Sequence, residues 1–354
     1  LQSAQQSNCA AYVDLGHTAI CSVSPELFFE IAGDEILVRP MKGTARRGVT
    51  SCADDLNALS LAESEKDRAE NVMIVDMIRN DIGRIADPGT VKVTRLFDIE
   101  RYPTVHQMTS TVVGRTQESL SALMHALFPC ASITGAPKVR TMQIIRELED
   151  SARGVYTGSI GYWLPDRQAR FNVAIRTVVV DRRDGAATYG VGGGIVWDSV
   201  DHQELSECLT KAEVLNTVRS PFEILETLLW TVSDGFYLLD RHVARAAASA
   251  HYFGYAFDAV QMREQLAKAV AKVGEPKKCR VRWLLSCDGD TSAEVVPLAA
   301  VGERPLRVGV AFHSCDSSDP FLYHKTTNRS VYVDARSAYA DCDDVLLVNE
   351  RGEL

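Results

Sequence analysis

The chain has 354 residues, 46% of them hydrophobic and 24% charged, which is ordinary for a globular protein and predicts two domains at ~100 to 200 residues each. The net charge of −9, from 38 Lys and Arg against 47 Asp and Glu, excludes the broad basic surface that nucleic acid or an anionic membrane requires. No apolar stretch approaches the ~18 residues that span a bilayer, and residues 1–6 lack the features of a secretion signal; we therefore expect a cytoplasmic protein.

The cysteines and histidines predict neither disulfides nor zinc. The nine cysteines are odd in number, scattered and never spaced as C-x-x-C, so we expect reduced thiols. The eight histidines include no H-x-x-x-H or Cys/His motif of a zinc site. Any bound metal should therefore be held by carboxylates.

The sequence pattern of the first 218 residues predicts antiparallel strands and several helices. Alternating apolar residues predict a β-meander with strands at 17–23, 27–31 and 35–39. The sequence Ser60-Leu61-Ala62-Glu63 fits a capping box and predicts a long helix that continues to about Arg84. Further helices are predicted at 120–127, 137–150 and 201–218, and a second antiparallel set of strands at 156–164, 170–180 and 188–197.

A helix break at Arg219-Ser220-Pro221 predicts the boundary between two domains, 1–218 and 222–354. The sequence of the second domain predicts a small α+β unit. Its predicted strands are 236–239, 280–286, 293–299 and 306–312, and its predicted helices are 240–253 and 258–273.

Two predicted helices each place carboxylates on one face. Asp67 and Glu70 are three residues apart, and Glu204, Glu207 and Lys211 follow at i, i+3 and i+7. If the helices faced each other, Glu70 and Glu207 could share a Mg²⁺ ion that keeps waters and takes a ligand carboxylate. Spacing alone fits a solvated acidic helix face equally well.

Lys42 lies between Pro40, which ends a predicted strand, and Gly43, which permits close approach of backbone or ligand. As a nucleophile it would need a lowered pKa, which Mg²⁺ and partial desolvation supply; as an isolated residue it is an exposed lysine at a strand end. Glycines at 190 and 192–194 offer backbone N–H groups to a carboxylate, or simply mark a strand bend.

Several ordered motifs in residues 1 to about 217 resemble the catalytic domain of the chorismate-utilising enzymes, the family of anthranilate, isochorismate, salicylate and aminodeoxychorismate synthases. The resemblance implies an α+β fold, an α/β sandwich of antiparallel sheets with outer helices. The matching stretches are Ser24-Pro25-Glu26, Pro40-Met41-Lys42-Gly43-Thr44, Lys66-Asp67-Arg68-Ala69-Glu70-Asn71, Arg79-Asn80-Asp81, Ile133-Thr134-Gly135-Ala136-Pro137-Lys138, Gly192-Gly193-Gly194-Ile195 and Glu204-x-x-Glu207-x-x-x-Lys211.

Within the family, P-x-K-G-T is similar to the aminodeoxychorismate synthases, since anthranilate synthases typically carry alanine at the position of Lys42. The resemblance implies that Lys42 attacks C2 of chorismate as the C4 hydroxyl leaves, that ammonia then adds at C4 and expels the lysine, and that Glu26 is the acid/base. It also implies a set of binding residues: Glu70 and Glu207 on Mg²⁺ with Asp67 and Glu204 flanking them, Tyr156, Arg176 and Lys211 on carboxylates, and Thr134 and Gly192 lining the pocket.

The histidine used by some relatives aligns with Gln107, because many members read V-x-H-L-x-S where this chain has residues 105–110. We therefore expect the neighbouring His106 to be a structural residue.

Residues 222–354 resemble the amino-terminal part of fold-type IV pyridoxal-phosphate enzymes, the family of branched-chain aminotransferases and aminodeoxychorismate lyase. The resemblance implies a partial fold-type IV α+β domain in which Arg245 binds the phosphate of pyridoxal 5′-phosphate. Lys325 would form the Schiff base and move the proton between carbons. The motifs are Phe222-Glu223-Ile224-Leu225-Glu226-Thr227, Arg241-His242-x-x-Arg245 with Ser249-Ala250, and His324-Lys325-Thr326-Thr327-Asn328-Arg329.

The family pattern of the second domain continues beyond Leu354 to a glutamate that contacts the pyridine nitrogen, so we expect this chain to lack lyase activity. Relatives also have a substantial segment before the equivalent of residues 10–13. We expect a fragment of a fused protein with consecutive steps of 4-aminobenzoate synthesis, the precursor path to folate, in its two domains.

Three functions are consistent with these patterns. The first is component I of an aminodeoxychorismate synthase, with ammonia supplied by a separate glutamine amidotransferase, since no glutaminase-like Cys/His arrangement is recognisable. The second is component I of an anthranilate synthase. The third is an inactive fragment that binds chorismate or an amidotransferase without turnover.

Overall fold

The computed structural model describes residues 7–197, 199–215, 220–272, 278–298 and 304–354. The chain divides into two compact units: the first comprises Leu1–Arg47 and Asn57–Arg219, and the second comprises Gly48–Leu56 and Ser220–Leu354. Among the described residues, none of the helices combines the length and apolar character needed to cross a membrane.

Strands before residue 220 form two antiparallel sheets. The smaller sheet has the order β1-β2-β10-β11, and the seven-stranded sheet has the order β5-β7-β4-β3-β9-β8 with β6 paired to β7. The strands are β1 (Cys9–Asp14), β2 (Thr18–Ser24), β3 (Leu27–Ala32), β4 (Glu35–Arg39), β5 (Met41–Arg46), β6 (Lys92–Arg101), β7 (Val105–Arg115), β8 (Ser159–Trp163), β9 (Gln168–Val173), β10 (Thr177–Asp181) and β11 (Ala187–Tyr189).

Six α-helices occur in the described residues before 220. They are α1 (Ser51–Glu63), α2 (Glu65–Gly83), α3 (Leu120–Leu127), α4 (Ala131–Thr134), α5 (Lys138–Leu148) and α6 (Asp201–Ala212), the last followed by a 3₁₀ turn at Glu213–Leu215. The final residues of the predicted helix 201–218, residues 216–218, lie outside the described part of the chain.

The predicted meander is confirmed for β3 and β4, which pair antiparallel, whereas β2 pairs with β1 and β10 in the other sheet. The predicted single strand 170–180 is wrong. It consists of β9 and β10, which belong to different sheets. The chain turns between them at Arg176, whose φ is 49°, a left-handed conformation that no continuous strand contains.

The predicted helix start at Ser60 is also wrong, because Ser60 lies within α1. The cap is Ser64, whose side chain accepts a hydrogen bond from the Asp67 backbone N–H. The capping pattern recurs four residues later, at Ser64-Glu65-Lys66-Asp67. Helix α2 begins at this second pattern. Pro137 is likewise the residue before α5, not its first residue.

The core of the first unit lies between α2, α3 and the larger sheet. Apolar residues recur along one face of α2, where Ile74, Ile78 and Ile82 are buried, and they pack against Phe29 and Val112 of the sheet. This packing fixes the height and rotation of α2 over β5 and β7, and thereby the direction of the residues on its other face.

The second unit has two sheets and three described helices. A four-stranded antiparallel sheet has the order β13-β12-β14-β15, and β16 pairs with β17 in parallel. The elements are β12 (Ile224–Thr231), β13 (Gly235–Phe236), α7 (Leu239–Phe253), α8 (Ala259–Ala271), β14 (Lys278–Leu285), β15 (Thr291–Pro297), β16 (Val308–Cys315), a 3₁₀ turn at Pro320–Leu322, α9 (Ser330–Ala338) and β17 (Asp344–Asn349).

The core of the second unit lies between α7, α8 and the four-stranded sheet. Leu228 and Trp283 of the sheet pack against Ala246 and Ala250 of α7 and Leu266 of α8. Both predicted helices and the strands predicted at 280–286, 293–299 and 306–312 are confirmed with shifts of a few residues, except that residue 273 and residue 299 lie outside the described residues. The strand predicted at 236–239 is present only as the two-residue β13, because α7 already begins at residue 239. Both units therefore have the predicted α+β class; their sheets are antiparallel except for the parallel pair of β16 and β17.

Candidate functional site

Lys42 lies on β5 directly under α2. Its neighbour Gly43 has a φ of 101°, and a Cβ there would lie 3.1 Å from Asp67 Cβ, so glycine permits the close approach of helix and strand. Asn71 of α2 donates hydrogen bonds from Nδ2 to the carbonyls of Lys42 (3.2 Å) and Met108 (3.4 Å). The backbone of Lys42 is thus held by the helix that carries Glu70.

The ammonium group of Lys42 faces α2. Lys42 Nζ lies 3.7 Å from Glu70 Oε2, and the two side chains are 27% and 25% exposed. The pair is therefore sheltered but still reachable by a ligand. Pro40 separates β4 from β5, and Lys42 lies within β5, one residue after its start.

The predicted strand 188–197 ends early, because only Ala187–Tyr189 is extended. The glycines that follow have neighbours where a side chain would be. A Cβ at Gly192 would lie 2.9 Å from Tyr156 Oη, one at Gly193 2.8 Å from Glu204 Oε2, and one at Gly194 3.1 Å from Lys42 Nζ. Residues 190–194, which we call the glycine segment, thus lie against Tyr156, Glu204 and Lys42.

Helix α6 reaches the same segment. Lys211 Nζ donates to the carbonyl of Gly192 at 2.9 Å and lies 2.5 Å from Glu207 Oε1. The Lys211 carbonyl accepts hydrogen bonds from Arg176 Nη1 and from Tyr189 Oη. The turn that splits β9 from β10 therefore aims Arg176 at the end of α6, beside the glycine segment.

Glu26 is the most strongly perturbed carboxyl group at this site. The residue is 6% exposed, and Ser132 Oγ donates to its Oε1 at 2.7 Å. Burial raises the pKa of Glu26 to about 7, against the opposing effects of the Ser132 hydrogen bond and the positive charge of Lys42. A carboxyl group with this pKa exchanges protons near neutral pH.

Most of the predicted site residues are brought together around the glycine segment. Thr134 lies at the end of α4, where its hydroxyl donates to the Cys130 carbonyl at 3.3 Å; its contacts do not join it to that segment. His106 is 1% exposed on β7, and Gln107 accepts a hydrogen bond from Thr44.

The acidic residues suit magnesium by type, but they are not assembled as a cluster. Among the described residues, no three His, Cys, Asp or Glu side chains converge as a metal site. Glu70 and Glu207 each face a lysine, and both lysines contact the glycine segment. Mg²⁺ commonly takes one or two protein carboxylates together with waters and substrate oxygens, so this donor set fits the ion without a third acidic ligand.

The second unit holds a separate charged cluster around Glu226. The residue is fully buried. Its carboxylate accepts hydrogen bonds from Arg245 Nε at 2.7 Å and Nη2 at 2.6 Å, and Oε2 lies 2.7 Å from His242 Nδ1. These contacts fix the guanidinium of Arg245 on α7 through a two-pronged interaction.

Arg245 and Lys325 line one cavity of about 310 Å³. The cavity is also bordered by Arg329 and Tyr332, so three cationic side chains surround it. Partial burial and the charge of Arg245 lower the pKa of Lys325, which favours the neutral amine that a covalent bond to an aldehyde requires. The cavity therefore suits an anionic ligand with a carbonyl group.

Comparison with known proteins agrees with both units. The chain belongs to the family of chorismate binding enzymes, which residues 1–217 match. Residues 223–354 match the class IV aminotransferases.

Similar proteins include aminodeoxychorismate synthases and an anthranilate synthase. Aminodeoxychorismate synthase component 1 of Salmonella typhimurium is 45% identical over 225 residues, covering 63% of this chain and 48% of the relative. The Escherichia coli protein of the same name is 45% identical over 213 residues, covering 60% and 47%. The crystal structure of anthranilate synthase component I from Streptococcus pneumoniae superposes with a TM-score of 0.56 at 33% identity, covering 61% of this chain and 48% of that one. The chain spans about half the length of these relatives.

Sequence patterns did not point to Ser132, Asn71 or Glu226 as site residues. Asn71 and Glu226 stand inside recognised motifs, and Ser132 directly precedes one. Each of these residues forms a hydrogen bond with a partner outside its own motif. Ser132 bonds to Glu26, Asn71 to Lys42 and Glu226 to Arg245, at separations of 106, 29 and 19 residues. The sequence signal that could have identified these three residues is that each is polar and lies inside or directly beside a motif.

Proposed function

We propose that the first unit is the catalytic part of an aminodeoxychorismate synthase component I, which converts chorismate and ammonia to 4-amino-4-deoxychorismate. The observation that carries this proposal is the position of Lys42, whose amine borders both the acidic face of α2 and the glycine segment. Family membership and the P-x-K-G-T sequence support the same reaction.

In the proposed reaction the neutral amine of Lys42 attacks C2 of chorismate. Both double bonds of the ring diene shift, and the C4–O bond breaks with a proton from Glu26, which releases water. Ammonia then attacks C4, both double bonds shift back, and the C2–N bond to Lys42 breaks, while the new C4 amine gives a proton to the Glu26 carboxylate. The buried Glu26, with its pKa raised to about 7, is suited to giving and then accepting a proton.

The cationic residues around the glycine segment would bind the carboxylates of chorismate. Arg176 offers planar paired donors, Lys211 offers a point charge, and Tyr156 offers a hydroxyl. Glu70 and Glu207 would hold Mg²⁺, with Asp67 and Glu204 beside them, and Thr134 and Gly192 would line the pocket. When bound, the ion would supply positive charge for binding a carboxylate of the substrate.

For the second unit we propose a lyase-like domain that binds pyridoxal 5′-phosphate. Arg245 would bind the phosphate and Lys325 would attach the cofactor and move a proton; the bound cofactor supplies the electron sink for such chemistry. Support comes from the class IV aminotransferase match and from the cavity that contains both residues. Domain 1–218 would then catalyse one step of a cytoplasmic pathway, with ammonia from a glutamine amidotransferase partner, and domain 222–354 would be related to the enzyme of the next step without itself having lyase activity.

Mass spectrometry tests the proposed nucleophile. The chain incubated with chorismate and Mg²⁺ in the absence of ammonia should carry an adduct on Lys42. Lys42→Ala should carry none, while Lys92→Ala, which removes an exposed lysine of β6, should retain it. With ammonia present, chromatography should identify 4-amino-4-deoxychorismate as the product.

Two outcomes contradict the proposal. Anthranilate as the product would identify an anthranilate synthase, and tight Mg²⁺-dependent chorismate binding with neither adduct nor product would identify a binding fragment. An adduct that persists in Lys42→Ala would assign the nucleophile to another residue.

A further inference from the structure

In the described residues, the carboxyl group of Glu26 receives one hydrogen bond from a side chain, and the donor is Ser132. Ser132 Oγ lies 2.7 Å from Glu26 Oε1, across 106 positions of sequence. The carboxyl group is buried, so this donor replaces part of the solvation that burial removes.

Both partners of this hydrogen bond are held in place by the backbone around them. Ser132 lies in α4, whose turn is closed by hydrogen bonds from the N–H groups of Thr134 and Gly135 to the carbonyls of Cys130 and Ala131. On the other side, the Glu26 carbonyl accepts the N–H of Val173 at 3.1 Å. The hydroxyl and the carboxyl group therefore meet in a geometry fixed before any substrate binds.

Two titratable groups, Lys42 and Cys130, interact electrostatically with Glu26. Lys42 contributes a positive charge from β5. Cys130, whose Sγ lies 3.1 Å from Ser132 Oγ, is buried, and burial with the charge of Glu26 raises the pKa of its thiol to about 12. The thiol is neutral at physiological pH, so Ser132 and Lys42 are the groups that favour the ionised carboxylate.

We propose that Ser132 is a positioning residue for the amination reaction: its hydroxyl orients the Glu26 carboxyl group and favours the ionised form. The proposal rests on the proposed function of Glu26 as the acid/base. Without this donor, the carboxyl group would keep its proton to higher pH and would rotate more freely.

The pH profile of chorismate amination tests this role. In Ser132→Ala, the limb controlled by Glu26 should move upward by about one to two pH units, since a hydrogen bond to a charged group contributes about that much. The change should fall on kcat more than on KM, and Ser132→Thr should restore the wild-type limb because it keeps the hydroxyl. Cys130→Ala, which leaves the Ser132 donor intact, should leave the limb in place.

Infrared titration of the carboxyl group supplies a readout that does not need turnover. The carbonyl band of protonated Glu26, identified by its loss in Glu26→Gln, should titrate about one to two pH units higher in Ser132→Ala than in the wild type. Equal midpoints in the two folded proteins would overturn the proposal. A shifted midpoint in a chain that does not aminate chorismate would support the role of Ser132 and count against the proposed function alone.

Discussion

At the scale of single residues, burial decides the chemistry of Glu26 more than its immediate neighbours do. Desolvation is the largest cause of its raised pKa, and the hydrogen bond from Ser132 and the charge of Lys42 only partly oppose it. Glu70 sits beside the same lysine but remains a quarter exposed. The site thus contains one carboxyl group suited to proton transfer and others suited to binding a cation.

The raised pKa of Glu26 predicts a specific pH dependence of stability. Between its ordinary value of 4.5 and about 7, the folded state binds more protons than the unfolded state, so the free energy of unfolding falls as the pH rises through this window. Glu26→Gln removes that contribution. The free energy of unfolding of the wild type minus that of Glu26→Gln should therefore fall by up to about 3 kcal/mol from pH 5 to pH 8.

Denaturant unfolding at several pH values, followed by a probe in the first unit, measures this difference. Glu30→Gln on β3 is a matched control, because its carboxylate is only in part sheltered and faces Arg170. A wild-type to Glu26→Gln difference that stays constant with pH would contradict the assignment of a raised pKa.

At the scale of elements, the position of the N-terminal cap sets where helix α2 begins. Ser64 Oγ accepts the Asp67 N–H at 3.2 Å and donates to Asp67 Oδ2 at 2.5 Å, so one residue starts α2 and orients an acidic side chain of the site. The sequence offers the capping pattern twice, at Ser60 and at Ser64. Local helix propensity does not distinguish the two serines as caps, because the start of α2 depends on which of its residues pack on the sheet.

We predict that replacing Ser64 lowers the stability of the protein, whereas replacing Ser60 changes it little. Ser64→Ala should lower the free energy of unfolding by about 1 kcal/mol, because it leaves the first N–H groups of α2 without the side-chain acceptor. Ser60→Ala, within α1, should change stability by no more than about 0.5 kcal/mol. Equal losses in thermal or urea unfolding would argue against Ser64 as the functional cap.

Element types followed from the sequence wherever periodicity was local and strong. Helix α3 lies where it was predicted, at 120–127, and β4 has its predicted bounds. The strand predicted at 170–180 failed because both halves are apolar and extended, and only the assignment of β9 and β10 to different sheets requires the left-handed turn at Arg176. That requirement is set by tertiary pairing, which no short window contains.

At the scale of the whole molecule, the chain carries two chemically distinct lysines in two units. Lys42 faces carboxylates and glycines, whereas Lys325 lines a cavity with two arginines. The first environment suits a carboxylated ring bound beside a metal, and the second suits a phosphorylated aldehyde. In the functions that we propose, the same functional group would serve different reactions according to its surroundings.

Chemical labelling tests whether the two lysines differ in their reaction with the cofactor. Pyridoxal 5′-phosphate followed by borohydride should modify Lys325, and peptide mapping should find little label on Lys42. Arg245→Ala should weaken cofactor binding by at least tenfold, measured by the absorbance of the bound cofactor, because it removes the phosphate-binding guanidinium. Arg263→Ala, which removes an exposed arginine of α8, is the control. Equal labelling of surface lysines, or unchanged affinity in Arg245→Ala, would contradict the proposed cofactor site.

The sequence by itself determined the α+β class and predicted two domains and the candidate site residues, because composition, periodicity and ordered motifs are properties of nearby residues. Tertiary structure alone decided how these residues meet. It paired Lys42 with Glu70, brought the glycine segment against Tyr156, Glu204 and Lys42, and placed Ser132 on Glu26. Such contacts join positions up to a hundred or more residues apart, and they form because burying one face of a helix on a sheet fixes where its other face points.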